Sequence, residues 1–208
     1  LRRGTLIHYG FEAALMRAFK GRADLGELLA IGAQEMHDAQ EEWLSLPAIA
    51  PWITEEMREG ALQQETDCVR IFRRAFPKIG VHTGEWETVM APDGRPMIEW
   101  EMEMRTPGWK GIRGTADWVA RNMSTGHVWL WDFKTRKVLQ PEEHDALQMQ
   151  HPLYLHLLHE TLGLHLAGAV TYQIRAAIPK QPKVTKTGAL SKAHCATDEA
   201  TFMAALYR

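Results

Sequence analysis

The chain is poor in cysteine. Cys68 and Cys195 are the two present among 208 residues, too few for the disulfide framework of a small secreted protein and for the four thiolates that hold an iron–sulfur cluster. A reducing compartment and a protein without such a cluster are expected. Long apolar runs are missing as well: none approaches the ~18 residues of a membrane span, and the Arg-rich start lacks the apolar core and small-residue cleavage site of a secretory signal. The expectation is a soluble, cytoplasmic protein with no membrane partner. Nor does either charge dominate. A formal net charge of −2 gives no general attraction for phosphate, so any nucleic-acid contact has to come from local basic patches.

What is present suits one globular domain over residues 1–208, because 45% hydrophobic and 24% charged residues allow a sizeable buried core. The chain starts at Leu1 and stops at Arg208, just past the apolar, helix-like stretch Phe202 to Tyr207, so trimmed ends are expected. Residues 1–80 read as helical. Ile7, Phe11, Leu15 and Phe19 recur at helix spacing, and Leu25, Leu28, Leu29 and Met36 mark a second helix. Thr54 before Glu55 and Glu56 looks like the N-cap of a third, running through Val69 and Phe72 toward Pro77.

Residues 81–178 change character. Trp86 to Met90, Met97 to Met104, Ile112 to Ala120 and Val128 to Phe133 are short β-prone runs separated by Pro-Asp-Gly, Thr-Pro-Gly and Ser-Thr-Gly punctuation. A helical stretch from about Glu142 to Leu162 follows, then a strand from Ala169 to Ala177, then a Pro/Lys-rich segment over 179–208. That order predicts an α/β domain: a central mixed β-sheet, an antiparallel meander plus a later strand, flanked by helices and preceded by a helical region.

The strand Val128-Trp129-Leu130-Trp131-Asp132-Phe133-Lys134 is apolar on both faces until Asp132 and Lys134 interrupt one of them. Residues i and i+2 share a face about 6.6 Å apart, so this carboxylate and ammonium project into one space. Alone, the pair reads as an ordinary strand-end ion pair. A hairpin centred on Ser124 and Thr125 sets Asp117 of the preceding strand across from Asp132. Facing side chains have Cβ atoms about 4.5–5.5 Å apart, and two like charges there call for a cation between them. Glu87, Glu99, Glu101 and Glu103 are left unassigned, since alternating glutamates on a strand read as a solvated face.

These residues carry a family resemblance. Gly114-Thr115-Ala116-Asp117 followed by Asp132-Phe133-Lys134-Thr135 resembles the G-x-x-D and D-x-K-T pair of RecB-like nucleases in the PD-(D/E)XK superfamily. Gly4-Thr5-Leu6-Ile7-His8 resembles the G-x-x-x-H helix of that family, and Gln150-His151-Pro152-Leu153-Tyr154 resembles its Q-x-x-x-Y helix. The resemblance implies a restriction-endonuclease-like core in which His8, Asp117, Asp132 and the Phe133 carbonyl bind Mg²⁺ or Mn²⁺. It further implies that Lys134 is the catalytic lysine and that Gln150 and Tyr154 serve the DNA and the active site. Carboxylates suit either metal, and an imidazole shifts the preference toward Mn²⁺.

Other readings of the same residues stay open. His8 could pair locally with Glu12, and Tyr154 among leucines could simply pack. Pro152 is expected to kink or break its helix, which keeps Gln148 beside Gln150 as the motif glutamine. Arg113, Thr135, Arg136 and Lys137, with Lys183 and Lys186 of the Pro/Lys-rich segment, are expected to contact nucleic acid. That segment's Lys-x-Gly-x-Leu-Ser run resembles the one after the last core strand in phage-encoded RecB-like exonucleases. Trp129 and Trp131 read as core rather than as base-stacking platforms. The expected function is an exonuclease on DNA ends or single-stranded regions in recombination, repair or phage DNA processing, with a recombination or replication protein as a possible partner. A structure-specific endonuclease and a silent DNA-binding module are the alternatives.

Overall fold

The computed structural model describes residues 1–105, 108, 111–141 and 149–176. Three helices come first: α1 (Arg3–Phe19), α2 (Leu25–Ser45) and α3 (Glu55–Ala75). Asp24 caps α2 by accepting the Glu27 N–H at 2.8 Å, and Thr54 caps α3 by accepting the Met57 N–H at 3.2 Å. These side chains satisfy amide donors that a helix start leaves without a partner. Where α1 crosses α2, a Cβ on Gly32 would come within 2.6 Å of the Gly10 carbonyl, so the two backbones meet with no side chain between them.

The meander follows as β1 (Trp86–Thr88), β2 (Ile98–Met104), β3 (Ile112–Asn122) and β4 (Val128–Arg136). Both β1 and β2 pair antiparallel with β3, and β3 pairs antiparallel with β4. After α4 (Gln150–Leu162), strand β5 (Gly168–Arg175) returns parallel to β4. The result is a mixed sheet whose strand β4 has a partner on each side, as the expected α/β architecture requires.

Each face of the sheet carries its own core. On one, Phe11, Phe72 and Phe76 of the helical region meet Trp118, Trp131, Phe133 and Ile174. On the other, Leu157 and Leu158 of α4 pack on Val119 and Leu130. Trp131 is 6% exposed and Trp129 is partly buried against the first cluster, so both are core residues as read from the sequence. Pro152 lies two residues inside its helix. Because α4 begins at Gln150, the proline occupies the first turn, where its missing N–H has no helical acceptor to lose. Residues 142–148, expected to be helical, and the segment from residue 177 onward, with Gln148, Lys183, Lys186 and Cys195, lie outside the described residues.

Candidate metal centre

The ladder between β3 and β4 runs from Arg121 with Val128 to Trp118 with Trp131. The ladder stops there, one step short of the Asp117–Asp132 pair that the hairpin arithmetic expects. On its other side, β3 pairs Trp118 with Ile98 and Ala116 with Trp100, which sets Glu99 across from Asp117. Glu99, Asp117 and Asp132 thus stand on the consecutive strands β2, β3 and β4. Glu99 is, among the described residues, the one non-glycine with positive φ, at 45°. A non-glycine residue pays in backbone strain for such a conformation, and strain of this kind clusters at functional sites.

Where the β3–β4 ladder ends, side chains take over its hydrogen bonds. The Phe133 N–H donates to Asp117 Oδ2 at 2.6 Å, and the Phe133 carbonyl accepts from His8 Nε2 at 2.8 Å. A carbonyl can only accept, so Nε2 carries the proton and Nδ1 turns toward the acids. That nitrogen lies 3.4 Å from Glu99 Oε1 and 4.0 Å from Asp117 Oδ2. His8 therefore makes its close contacts to β2, β3 and β4, and is linked to Glu12 of its own helix through charge. Ligand atoms of His8, Glu99 and Asp117 all lie within 4.8 Å of one another.

The electrostatics of this group are those of a place short of positive charge. Burial pushes the Asp117 carboxyl up to about 6; His8 and the Phe133 amide oppose the shift, while Glu99 and Asp132 add to it. Burial alone would lower the His8 imidazole, but its hydrogen bond to Glu99, the charge of Asp117 and the Phe133 carbonyl raise it above the ordinary value. Glu12, one turn along α1, is raised by burial and then by Glu99 and Glu35. Two carboxylates and an imidazole nitrogen in this crowding fit a divalent cation, which would offset the repulsion that now falls on one shared imidazole proton.

Asp132, 3% exposed, lies outside the group of ligand atoms that share 4.8 Å. Its Oδ1 faces Lys134 Nζ at 2.8 Å and Gln150 Nε2 at 3.4 Å, and its Oδ2 faces His151 Nε2 at 3.3 Å. Lys134 also donates to Gln150 Oε1 at 3.2 Å, so the start of α4 holds both members of the Asp132–Lys134 pair. Tyr154, one turn on, lies over the bare Cα of Gly114, where a Cβ would come within 2.8 Å of its Cζ and 3.0 Å of its hydroxyl. The glycine of the G-x-x-D run is required by this packing.

The expected nucleic-acid contacts are dispersed. Lys137 is exposed, and Arg113 pairs with Glu103 at 3.2 Å on the surface. Thr135 turns to the helical side, its Cβ 3.7 Å from where a Gly4 Cβ would be, and its hydroxyl is buried with no partner among the described residues. Arg136 pairs in register with Arg175 of β5. Sequence reasoning missed Glu99 and His151. Glu99 is hidden in an alternating acidic strand, and no local signal separates it from Glu101 and Glu103. His151 stands inside the motif helix, and its position in the first turn beside Gln150 was the available signal.

A family model described as the PD-(D/E)XK nuclease superfamily matches residues 1–206 of the chain. No curated protein matches it.

Proposed function

We propose, since the chain belongs to the PD-(D/E)XK nuclease superfamily, whose members cleave nucleic acid with divalent metals, that this protein is a RecB-like deoxyribonuclease. It acts as an exonuclease on DNA ends in recombination, repair or phage DNA processing, within a single nuclease domain. The observation that carries this reading is the convergence of His8, Glu99 and Asp117 ligand atoms within 4.8 Å, next to the Asp132–Lys134 pair.

In this reading His8, through Nδ1, and Asp117 hold Mg²⁺ or Mn²⁺ together with Glu99. Asp132, one register step across, supplies a further carboxylate, and the Phe133 carbonyl keeps its second lone pair for the same space. The bound cation supplies a Lewis acid for the phosphate and lowers the pKa of water. The remaining work falls to the chain's own groups. Lys134 has three N–H donors, two of which go to Asp132 and Gln150 among the described residues. The third is available to a phosphate oxygen or an attacking water, where a fixed positive charge favours the negative charge that builds during displacement. Gln150 aims Lys134 by accepting from it, and His151, itself beside Thr171 Oγ1 at 3.3 Å, steadies Asp132. Lys137 and Arg136 at the end of β4, with Lys183 and Lys186, contact the DNA backbone.

Incubating the protein with end-labelled linear DNA and with closed circular DNA, in Mg²⁺, Mn²⁺ or EDTA, tests the proposal. Progressive loss of linear DNA from its ends in either metal, with circles intact and no loss in EDTA, is the expected result. Cut circles would make it an endonuclease. Binding without cleavage in every metal would make it a silent module.

A further inference from the structure

An open cleft of about 890 Å³ runs from the metal centre along β2, sharing Glu99 with it. Its outer wall carries an arginine with unusual support. Arg95 is 71% exposed at the side chain, yet its Nε donates to Asp93 Oδ2 at 2.8 Å and its guanidinium carbon lies 4.6 Å from the centre of the Trp100 ring. The turn beneath it is also tied down. Asp93 Oδ1 accepts the Arg95 N–H at 3.1 Å, Gly94 turns at φ 82°, and Met90 and Pro96 bridge the two arms. The guanidinium is therefore held at its edge by Asp93 and on one face by Trp100.

The charge along the cleft selects what can lie in it. Glu12, Glu99, Glu101 and Glu103 line it against Arg95 and Arg113, and both arginines are already paired to acids. Phosphates are repelled by such a wall. An uncharged base is not, and it stacks readily on an arginine plane or an aromatic ring. Clefts of about 300–1,000 Å³ hold ligands of drug size, which here corresponds to a nucleotide or two.

We propose that the Arg95–Trp100 stack is a subsite for an unpaired nucleobase, so that DNA reaches the metal centre as a single-stranded tail. This deepens the nuclease reading and rests on it for the placement of the tail. The subsite makes an end-processing enzyme prefer a frayed or overhanging terminus to a blunt one, because a paired base cannot enter the stack.

The test uses the full chain in EDTA, where no turnover occurs. A duplex with a short unpaired tail carries 2-aminopurine in the tail, and the same strand annealed to a full-length complement gives a blunt control. The wild type is expected to quench the tail's fluorescence and to bind it more tightly than the blunt duplex. Arg95→Ala should weaken tail binding about fivefold or more, the low end for one lost stack, and leave blunt binding unchanged. Trp100→Phe, which keeps a ring, should lie near the wild type, and Trp100→Ala should match Arg95→Ala, with thermal melts checking that each variant folds. Wild-type quenching and affinity in Arg95→Ala, or an equal loss on tailed and blunt DNA, overturns the subsite. Cleavage of the tailed duplex in Mn²⁺ separates the two ideas: cleavage with an unchanged KM in Arg95→Ala removes the subsite alone. Absent wild-type cleavage alongside weakened tail binding in Arg95→Ala removes the nuclease reading alone.

Discussion

Asp117 Oδ2 accepts the Phe133 N–H at 2.6 Å at the point where β3 and β4 stop pairing. A side chain thus stands in for the strand bond that the ladder no longer supplies. The same carboxylate is half-buried and feels the charges of Glu99 and Asp132, which ties its protonation to the stability of the fold.

The first prediction concerns pH. The Asp117 carboxyl is held at about 6 against an ordinary 3.8, so the folded state keeps a proton that the unfolded state has released between those values. Stability without metal should therefore fall as pH rises from about 4 to 6 and stay low above, by an amount on the order of 3 kcal/mol. His8, with its folded pKa raised, contributes stability below the ordinary histidine range that is lost as pH rises through its folded value, which adds to the trend. Asp117→Asn should melt higher than the wild type at pH 8 and match it at pH 4. Mn²⁺ should raise the wild-type Tm more at pH 8 than at pH 5 and should not raise that of Asp117→Asn. An equal metal effect at both pH values would remove Asp117 from the ligand set.

Glu99→Gln keeps the size of the side chain and an acceptor for His8 while removing a charge. We expect an unaltered circular dichroism spectrum and an affinity for Mn²⁺ at least about tenfold lower by calorimetry, a floor set by what outer partners of metal ligands contribute. Unchanged affinity would return Glu99 to the solvated face that its strand pattern suggests.

Lys134→Ala should lower the cleavage rate by about 10²–10³ while retaining the Mn²⁺-induced rise in Tm, because its ammonium faces Asp132 and Gln150 rather than the His8 group. The variant also leaves the buried Asp132 with less compensation, so a lower starting Tm is expected. A destabilised variant with near-normal cleavage would reduce Lys134 to a structural partner.

Gly114→Ala drives a methyl group into the Tyr154 ring. Such overpacking typically costs about 1–3 kcal/mol, and denaturant melts should show it. Adding Tyr154→Ala should recover much of that loss, and fully additive effects would contradict the contact.

Much of this arrangement was legible beforehand because it obeys short-range periodicities. The meander, the turn after Asn122 and the shared face of Asp132 and Lys134 follow from a period of two and from turn chemistry. Asn122 Oδ1 indeed accepts from the Ser124 and Thr125 amides at 3.1 Å each. Glu99 was not legible, because its role depends on a backbone twist at one position and on a helix about ninety residues away, neither of which leaves a local trace. The helix start at Gln150 was less legible for a related reason: it has no side-chain cap to announce it, and a proline two residues on is compatible with a break before it as well as with a kink.

The span between His8 and Phe133 sets an order of events. Their hydrogen bond joins positions 125 residues apart, so the cation group comes together only after a large loop has closed, a step whose entropy cost precedes any gain from the contact. Helix α1 leaves the ribosome before the strands that complete the group. In a nascent chain the His8–Phe133 contact therefore forms only once β4 has docked beside α1, and a cation held by the His8 group would report that docking rather than the formation of any one element.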